Sequence, residues 1–163
     1  MSAGRPLPRE IATRLADLRR HYEALQHALD GVDAAAFAAA ARARDPGELG
    51  RAYVIERPFE LLANYVVELA REGLEAAGLL ERGAAVGGAE CLRALAEHRG
   101  VSAARAGRLL IVHRARNDLQ HEYPGARSQA TWEAARLLAD ELPGFLRDYA
   151  RWLRSLGFGP PGA

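Results

Sequence analysis

The run from Arg116 to Tyr123 holds four side chains that could act on a phosphodiester: Arg116, Asn117, His121 and Tyr123. Arginine presents a planar fork of donors that fits a phosphate group, and it stays charged at any physiological pH. Histidine exchanges protons near neutral pH. Neither role requires a metal ion. The run therefore predicts metal-independent chemistry at a phosphodiester, with no cofactor.

The composition indicates the kind of elements that position this run. The chain has 163 residues, of which 49% are apolar but only 7% aromatic, so the apolar share is mostly Ala and Leu. Both are good helix formers, and Val, Ile and Thr never cluster as they would in strands. We expect one all-α domain over residues 8–156, an antiparallel bundle of four to five main helices. Residues 1–7 and 157–163 are expected to be a flexible N-terminus and a flexible tail.

Apolar residues recur at helical spacing along most of the chain. Asp33 and Ser102 are expected to cap the helices that follow them, and 78–88 to form a connector. Pro58 predicts a bend or a late start in the third helix, and Pro143 a kink in the last. Helices are predicted at 8–29, 33–44, from the 45–47 turn to 77, at 89–98, from 102 to the Pro124–Gly125 stop, and at 128–156.

On a continuous helix Arg116 shares an apolar stripe with Leu109 and Val112, whereas His121 lies about 140° away from Arg116 in projection. Asn117 and His121 are four residues apart, so their side chains could meet. A compact site then requires either a distortion near the helix end or two copies of the run facing each other across a two-fold axis. We favour the dimer, because Val54, Leu61 and Tyr65 would give the third helix a second apolar face.

The charge is concentrated near the run, although the whole chain carries only +1. All 22 basic residues are arginine. Between Arg99 and Arg127 six arginines stand against two acids, Asp118 and Glu122, which leaves +4. A positive segment in a neutral protein points to a polyanionic partner such as RNA.

Cysteine content and hydropathy bear on location. Cys91 is the only cysteine, so an intrachain disulfide is excluded and a reducing compartment is favoured. Residues 1–8 lack the apolar region of a signal peptide, and no apolar run is long enough to span a bilayer. We expect a cytoplasmic protein with no membrane partner.

The pattern Arg-Asn-x-x-x-His-x-Tyr, late in a helical chain of this size, resembles the HepT-like branch of the HEPN superfamily. The opening of the third helix, 51–57, and the approach to the motif, 100–109, are similar to that family as well, and the resemblance covers roughly 8–156. It implies a HEPN-like dimeric helical bundle in which two motifs line one cleft. It further implies a metal-independent RNase toxin and an antitoxin partner, a small nucleotidyltransferase of the MNT type. That partner would silence the toxin by adding AMP to Tyr123.

The resemblance assigns roles to the motif residues. His121 would handle a proton as base or acid, Arg116 would bind the phosphate, and Asn117 would orient His121 or the phosphate. Tyr123 would touch the substrate backbone and serve as the control point. The Pro124–Gly125–Ala126 that follows departs from the more polar continuation expected in that family, which bears on the geometry around Tyr123.

Other interpretations compete with this one. The chain could be a non-catalytic partner or substrate-binding subunit of a nucleotidyltransferase, or a plain helical scaffold. Arg116 could form a structural salt bridge, His121 could cap its helix, and Tyr123 could be an ordinary residue at a helix end. His113, Asn117 and His121 lie along one side of the helix, but Asn is a poor zinc ligand, so we interpret that side as a solvated face.

Overall fold

The computed structural model describes residues 4–121 and 128–159. These residues form six helices and two very short strands. The elements in chain order are β1 (Arg5–Pro6), α1 (Arg9–Leu29), α2 (Ala34–Ala41), α3 (Pro46–Ala76), α4 (Gly88–Glu97), α5 (Ala103–His121), α6 (Ser128–Ser155) and β2 (Phe158–Gly159). The predicted all-α class is confirmed, with four long helices and two short ones.

Side-chain caps fix the starts of three helices. Asp33 Oδ1 accepts a hydrogen bond from the backbone N–H of Ala36 at 2.8 Å, and Asp45 Oδ2 accepts one from Glu48 at 3.0 Å. Ser102 Oγ accepts one from the backbone N–H of Arg105 at 3.1 Å. Each bond satisfies a backbone donor that has no partner within the helix. The expected caps at Asp33 and Ser102 are confirmed, so the start of the motif helix was correctly predicted.

Side-chain contacts give the relative directions of the long helices. Arg14 of α1 pairs with Glu68 and Glu72 of α3, while His21, further along α1, packs on Tyr65, so α1 and α3 are antiparallel. Arg105 of α5 pairs with Asp148 of α6 and Arg108 with Glu141, so α5 and α6 are antiparallel as well. The described helices thus form a bundle.

Helix α6 packs tightly on α3 through an aromatic side chain and a glycine. The buried Tyr149 hydroxyl donates to the backbone oxygen of Leu69 at 2.6 Å, and burial raises the pKa of Tyr149. A Cβ on Gly73 would lie 2.6 Å from that hydroxyl oxygen and 2.8 Å from Trp152. Only glycine therefore permits this approach, which holds the two central helices together.

The expected second apolar face of α3 is largely used within the chain. Tyr65 is half-buried, with the His21 ring 5.8 Å away and the Arg14 guanidinium 5.5 Å from its ring centre. Only the start of α3 leaves large apolar side chains exposed, with Tyr53 at 47% and Val54 at 59%. The apolar surface left for another subunit on this helix is therefore smaller than the sequence suggested.

The ends that the sequence predicted to be flexible are partly held in place. Arg5–Pro6 pairs in parallel with Phe158–Gly159, and Phe158 is buried. The Arg5 guanidinium lies 4.0 Å from the centre of the Phe158 ring, and Arg5 Nη2 donates to the Ala76 backbone oxygen at 3.3 Å. The cation–π contact and the burial of Phe158 fasten these two stretches to the bundle.

Both helices with an internal proline continue through it. Helix α3 begins at Pro46 and passes Pro58, which is buried, so the alternative of a late start is wrong. Helix α6 likewise continues through Pro143. None of the helices in the described ranges is long and apolar enough to cross a membrane.

Candidate functional site

Helix α5 carries the motif and is anchored to α6 by ion pairs. Arg105 Nε donates to Glu141 at 3.0 Å and Arg105 Nη1 pairs with Asp148, while Arg108 Nη2 donates to Glu141 at 3.1 Å. The hydrogen bond from Arg108, followed by that from Arg105, holds the pKa of the Glu141 carboxyl below its usual value. The side chains of Arg105, Glu141 and Asp148 are mostly buried. These pairs fix the position of α5 in the bundle.

The same pairs change the charge pattern that the sequence suggested. Arg105 and Arg108 are neutralised by acids of α6 that lie 33 to 43 residues further along the chain. Arg114 is exposed and Arg116 is half-buried, and neither makes an ion pair with another described residue. The positive charge available to a ligand on α5 is therefore concentrated toward its C-terminal half.

Arg116 is held by its neighbour Asn117, and no described carboxylate pairs with it. Its Nη1 donates to Asn117 Oδ1 at 3.1 Å. Its Nε is buried and has no hydrogen-bond partner among the described residues. A buried donor without a partner costs about 1–3 kcal/mol. The structural salt bridge considered as an alternative is absent from the described part of the chain, and the buried Nε donor lacks an acceptor there.

Asn117 turns toward His113, one helical turn before it, and not toward His121. Asn117 Nδ2 lies 3.3 Å from His113 Nε2. Burial, followed by the nearby charge of Arg116, lowers the pKa of His113. The sequence interpretation placed His113 on a solvated face, and this is wrong: the ring is half-buried, and a Cβ built on Gly88 would lie 2.8 Å from its Cε1 atom. The signal in the sequence was the i,i+4 spacing of His113 and Asn117.

His121 is exposed and is the last described residue of α5. The helix is unbroken from Ala103 to His121, so Arg116 and His121 remain about 140° apart around its axis. The distortion that would bring them together within one chain is absent from the described helix. Tyr123, the fourth residue of the motif, lies outside the described residues.

Two further unpartnered donors follow the motif in the first turns of α6. The Ser128 Oγ and the Trp132 Nε1 atoms are buried and have no hydrogen-bond partner among the described residues. Arg116 Nε, on α5, is in the same state. Such donors suit an anion better than a cation. No group of three or more His, Cys, Asp or Glu side chains in the described ranges is arranged to hold a metal ion.

No protein-family model, curated protein or solved structure matches the chain. The resemblance to HepT-like proteins therefore stays a prediction that rests on the motif and its flanks.

Proposed function

We propose that this protein is a metal-independent endoribonuclease of the HepT type, with a site shared between two subunits. The supporting observation is the burial and hydrogen bonding of the Arg116 side chain. Its guanidinium is half-buried, is held by Asn117, lacks a carboxylate among the described residues and keeps a buried Nε donor without a partner. An arginine in this state is suited to binding a phosphate, because the ligand would supply the missing acceptor.

The opposite placement of Arg116 and His121 supports the two-subunit arrangement. One straight helix presents the two groups on different sides, so one phosphodiester could reach both only if the groups came from different chains. Two copies related by a two-fold axis would bring the arginine of each subunit to the histidine of the other. Ile111, which is 56% exposed on α5, and the exposed Tyr53 and Val54 on α3 offer apolar surface for such a contact.

In the proposed reaction the 2′-oxygen of the RNA attacks the adjacent phosphorus. The bond from phosphorus to the 5′-oxygen breaks, which leaves a 2′,3′-cyclic phosphate and a free 5′-hydroxyl. His121 takes the proton from the 2′-hydroxyl or gives one to the 5′-oxygen. Arg116 binds the phosphate and its additional transition-state charge, and Asn117 holds the guanidinium in place.

The control of this activity is proposed at Tyr123. A nucleotidyltransferase partner of the MNT type would add AMP to its hydroxyl. The added group would place bulk and a negative charge beside the cleft and so repel the RNA backbone. The partner and the RNA would meet the protein in the cytoplasm.

The alternative is a non-catalytic binding partner of a nucleotidyltransferase. The ion pairs of Arg105 and Arg108 favour it, because they remove two of the arginines that would otherwise attract RNA. Cleavage assays separate the two functions. We expect Arg116→Ala and His121→Ala each to lower cleavage by about 100-fold or more. Arg114→Ala, which removes an exposed arginine from the same helix, should retain most of the activity.

Complementation tests the shared site directly. When Arg116→Ala and His121→Ala chains are co-expressed, each mixed dimer contains one site with both groups intact. Random pairing should restore about a quarter of the wild-type activity, whereas sites formed within single chains would restore none. Undiminished cleavage by either single variant would contradict the ribonuclease assignment.

A further inference from the structure

Three side chains of α5 form a hydrogen-bonded chain from His113 through Asn117 to Arg116. Arginine has donors and no acceptor, so the Asn117 atom that faces Arg116 Nη1 at 3.1 Å must be the amide oxygen. The amide nitrogen then faces His113 Nε2 at 3.3 Å. An amide nitrogen only donates, so Nε2 must accept, and a neutral His113 carries its proton on Nδ1.

The His113 ring is held from outside α5. A Cβ on Gly88, at the start of α4, would lie 2.8 Å from His113 Cε1 and 3.1 Å from Nε2. The same Cβ would lie 2.8 Å from Val67 of α3. The ring therefore lies against the start of α4, at a point that is also close to α3.

We propose that His113 is a positioning residue for Arg116, acting through Asn117; this inference rests on the ribonuclease function proposed above. By accepting from Nδ2, His113 fixes which way the Asn117 amide points. The amide oxygen then holds Arg116 Nη1 and leaves the unpartnered Nε to the phosphate. Asn117 accordingly serves Arg116, and the packing of α3 and α4 is transmitted to the phosphate-binding group.

Paired substitutions at His113 test the inference. Gln keeps an acceptor near the place of Nε2, whereas Leu has similar bulk and no acceptor. We expect His113→Leu to lower kcat for RNA cleavage about tenfold, the effect of one neutral hydrogen bond, with little change in KM. His113→Gln should retain kcat within about threefold of wild type. Equal losses in the two variants would overturn the inference, because a ring needed only for packing would be replaced poorly by either.

A double-mutant cycle tests whether His113 acts through Asn117. In an Asn117→Ala background, His113→Leu should cause no further loss of kcat, because the connection to Arg116 is already broken. Losses that multiply would show that His113 acts by another route and would overturn the inference.

Nitrogen NMR of the full-length protein keeps this test separate from the proposed function. We expect a neutral His113 ring with its proton on Nδ1, and an Arg116 Nε–H resonance that moves in His113→Leu but not in His113→Gln. If the wild-type protein cleaves no RNA, the ribonuclease proposal fails, while these spectra still decide whether His113 positions Arg116. An Arg116 resonance that is the same in all three proteins would overturn the inference even in an active enzyme.

Discussion

Arg116 and His121 lie on opposite sides of one unbroken helix, separated by about 7.5 Å along its axis. Arg116 faces the same side as the buried Leu109 and Val112, whereas His121 is exposed. A single chain thus keeps these two side chains apart. If both act on one phosphodiester, as we propose, a second subunit would complete the site, and activity should depend on association.

Replacing Glu141 by Gln should destabilise the protein, because this carboxylate joins Arg105 and Arg108 of α5 to α6. Hydrogen bonds to charged groups contribute about 1.5–3 kcal/mol each at most, so we expect a loss of that order in the free energy of urea unfolding near neutral pH. Glu133→Gln, at an exposed carboxylate of the same helix that contacts only Gln129 among the described residues, should change it by less than about 0.5 kcal/mol.

The pH dependence of the Glu141→Gln effect has a definite sign. The folded pKa of Glu141 is depressed below 4.5, so its contribution is present above that pH and is lost as the pH falls through the folded value. The difference between wild type and variant should therefore shrink in acid. A difference that stays constant down to about pH 2 would contradict the ion-pair explanation.

Two glycine-to-alanine changes should act in opposite directions. The methyl group of Gly88→Ala would press on His113 and Val67, and overpacking of this kind costs about 1–3 kcal/mol. Cleavage should fall as well, because the His113 ring must move. Gly107→Ala on α5 meets no atom within 4 Å and should stabilise the protein by about 0.5–1 kcal/mol. The melting temperature and the cleavage rate of each variant check these expectations. If Gly88→Ala and Gly107→Ala changed them alike, the contact between Gly88 and His113 would be contradicted.

The helices could be predicted from the sequence, whereas most contacts between them could not. Apolar spacing and short polar caps are local signals, and they placed both ends of α1, the start of α5 and the end of α6 to within a few residues of those observed. The predicted Pro124–Gly125 stop lies outside the described residues. The pairs of Arg105 and Arg108 with α6 join residues 33 to 43 apart, and the β1–β2 pair joins the two ends of the chain. Nothing local marks such partners.

Even within helix α5, the sequence could not predict which side chain contacts Asn117. Asn117 has a histidine four residues away on either side, His113 before it and His121 after it, so spacing alone gives no preference. In the structure Gly88 of α4 lies against the His113 ring, and Asn117 Nδ2 faces that ring. The sequence could therefore predict the motif residues, but not that Asn117 is oriented by His113.

Protonation of His113 should lower the free energy of unfolding as the pH falls below neutrality. Burial, followed by the charge of Arg116, lowers the pKa of His113, and Gly88, which lies against the ring from α4, carries no charge. A depressed histidine pKa contributes stability that is present above the unfolded value of 6.5 and is lost as the pH falls through the folded value. We expect the urea midpoint of wild type to drop more than that of His113→Gln between about pH 7.5 and about pH 5. Parallel curves would show that His113 titrates alike in the folded and unfolded states.

Tyr123 should be the residue that a co-expressed small nucleotidyltransferase modifies. AMP transfer needs a hydroxyl acceptor, and the resemblance to HepT-like proteins assigns that role to the phenol of Tyr123. Intact-mass measurement should find one added AMP on wild type and on His121→Ala, and none on Tyr123→Phe. Tyr53→Phe is the matched control, since Tyr53 is 47% exposed on α3 and distant from the motif in sequence.

Because AMP carries a negative charge, the modified protein should also lose affinity for RNA, and most strongly at low salt. AMP retained on Tyr123→Phe but missing from Tyr53→Phe would move the control point to another surface of the protein.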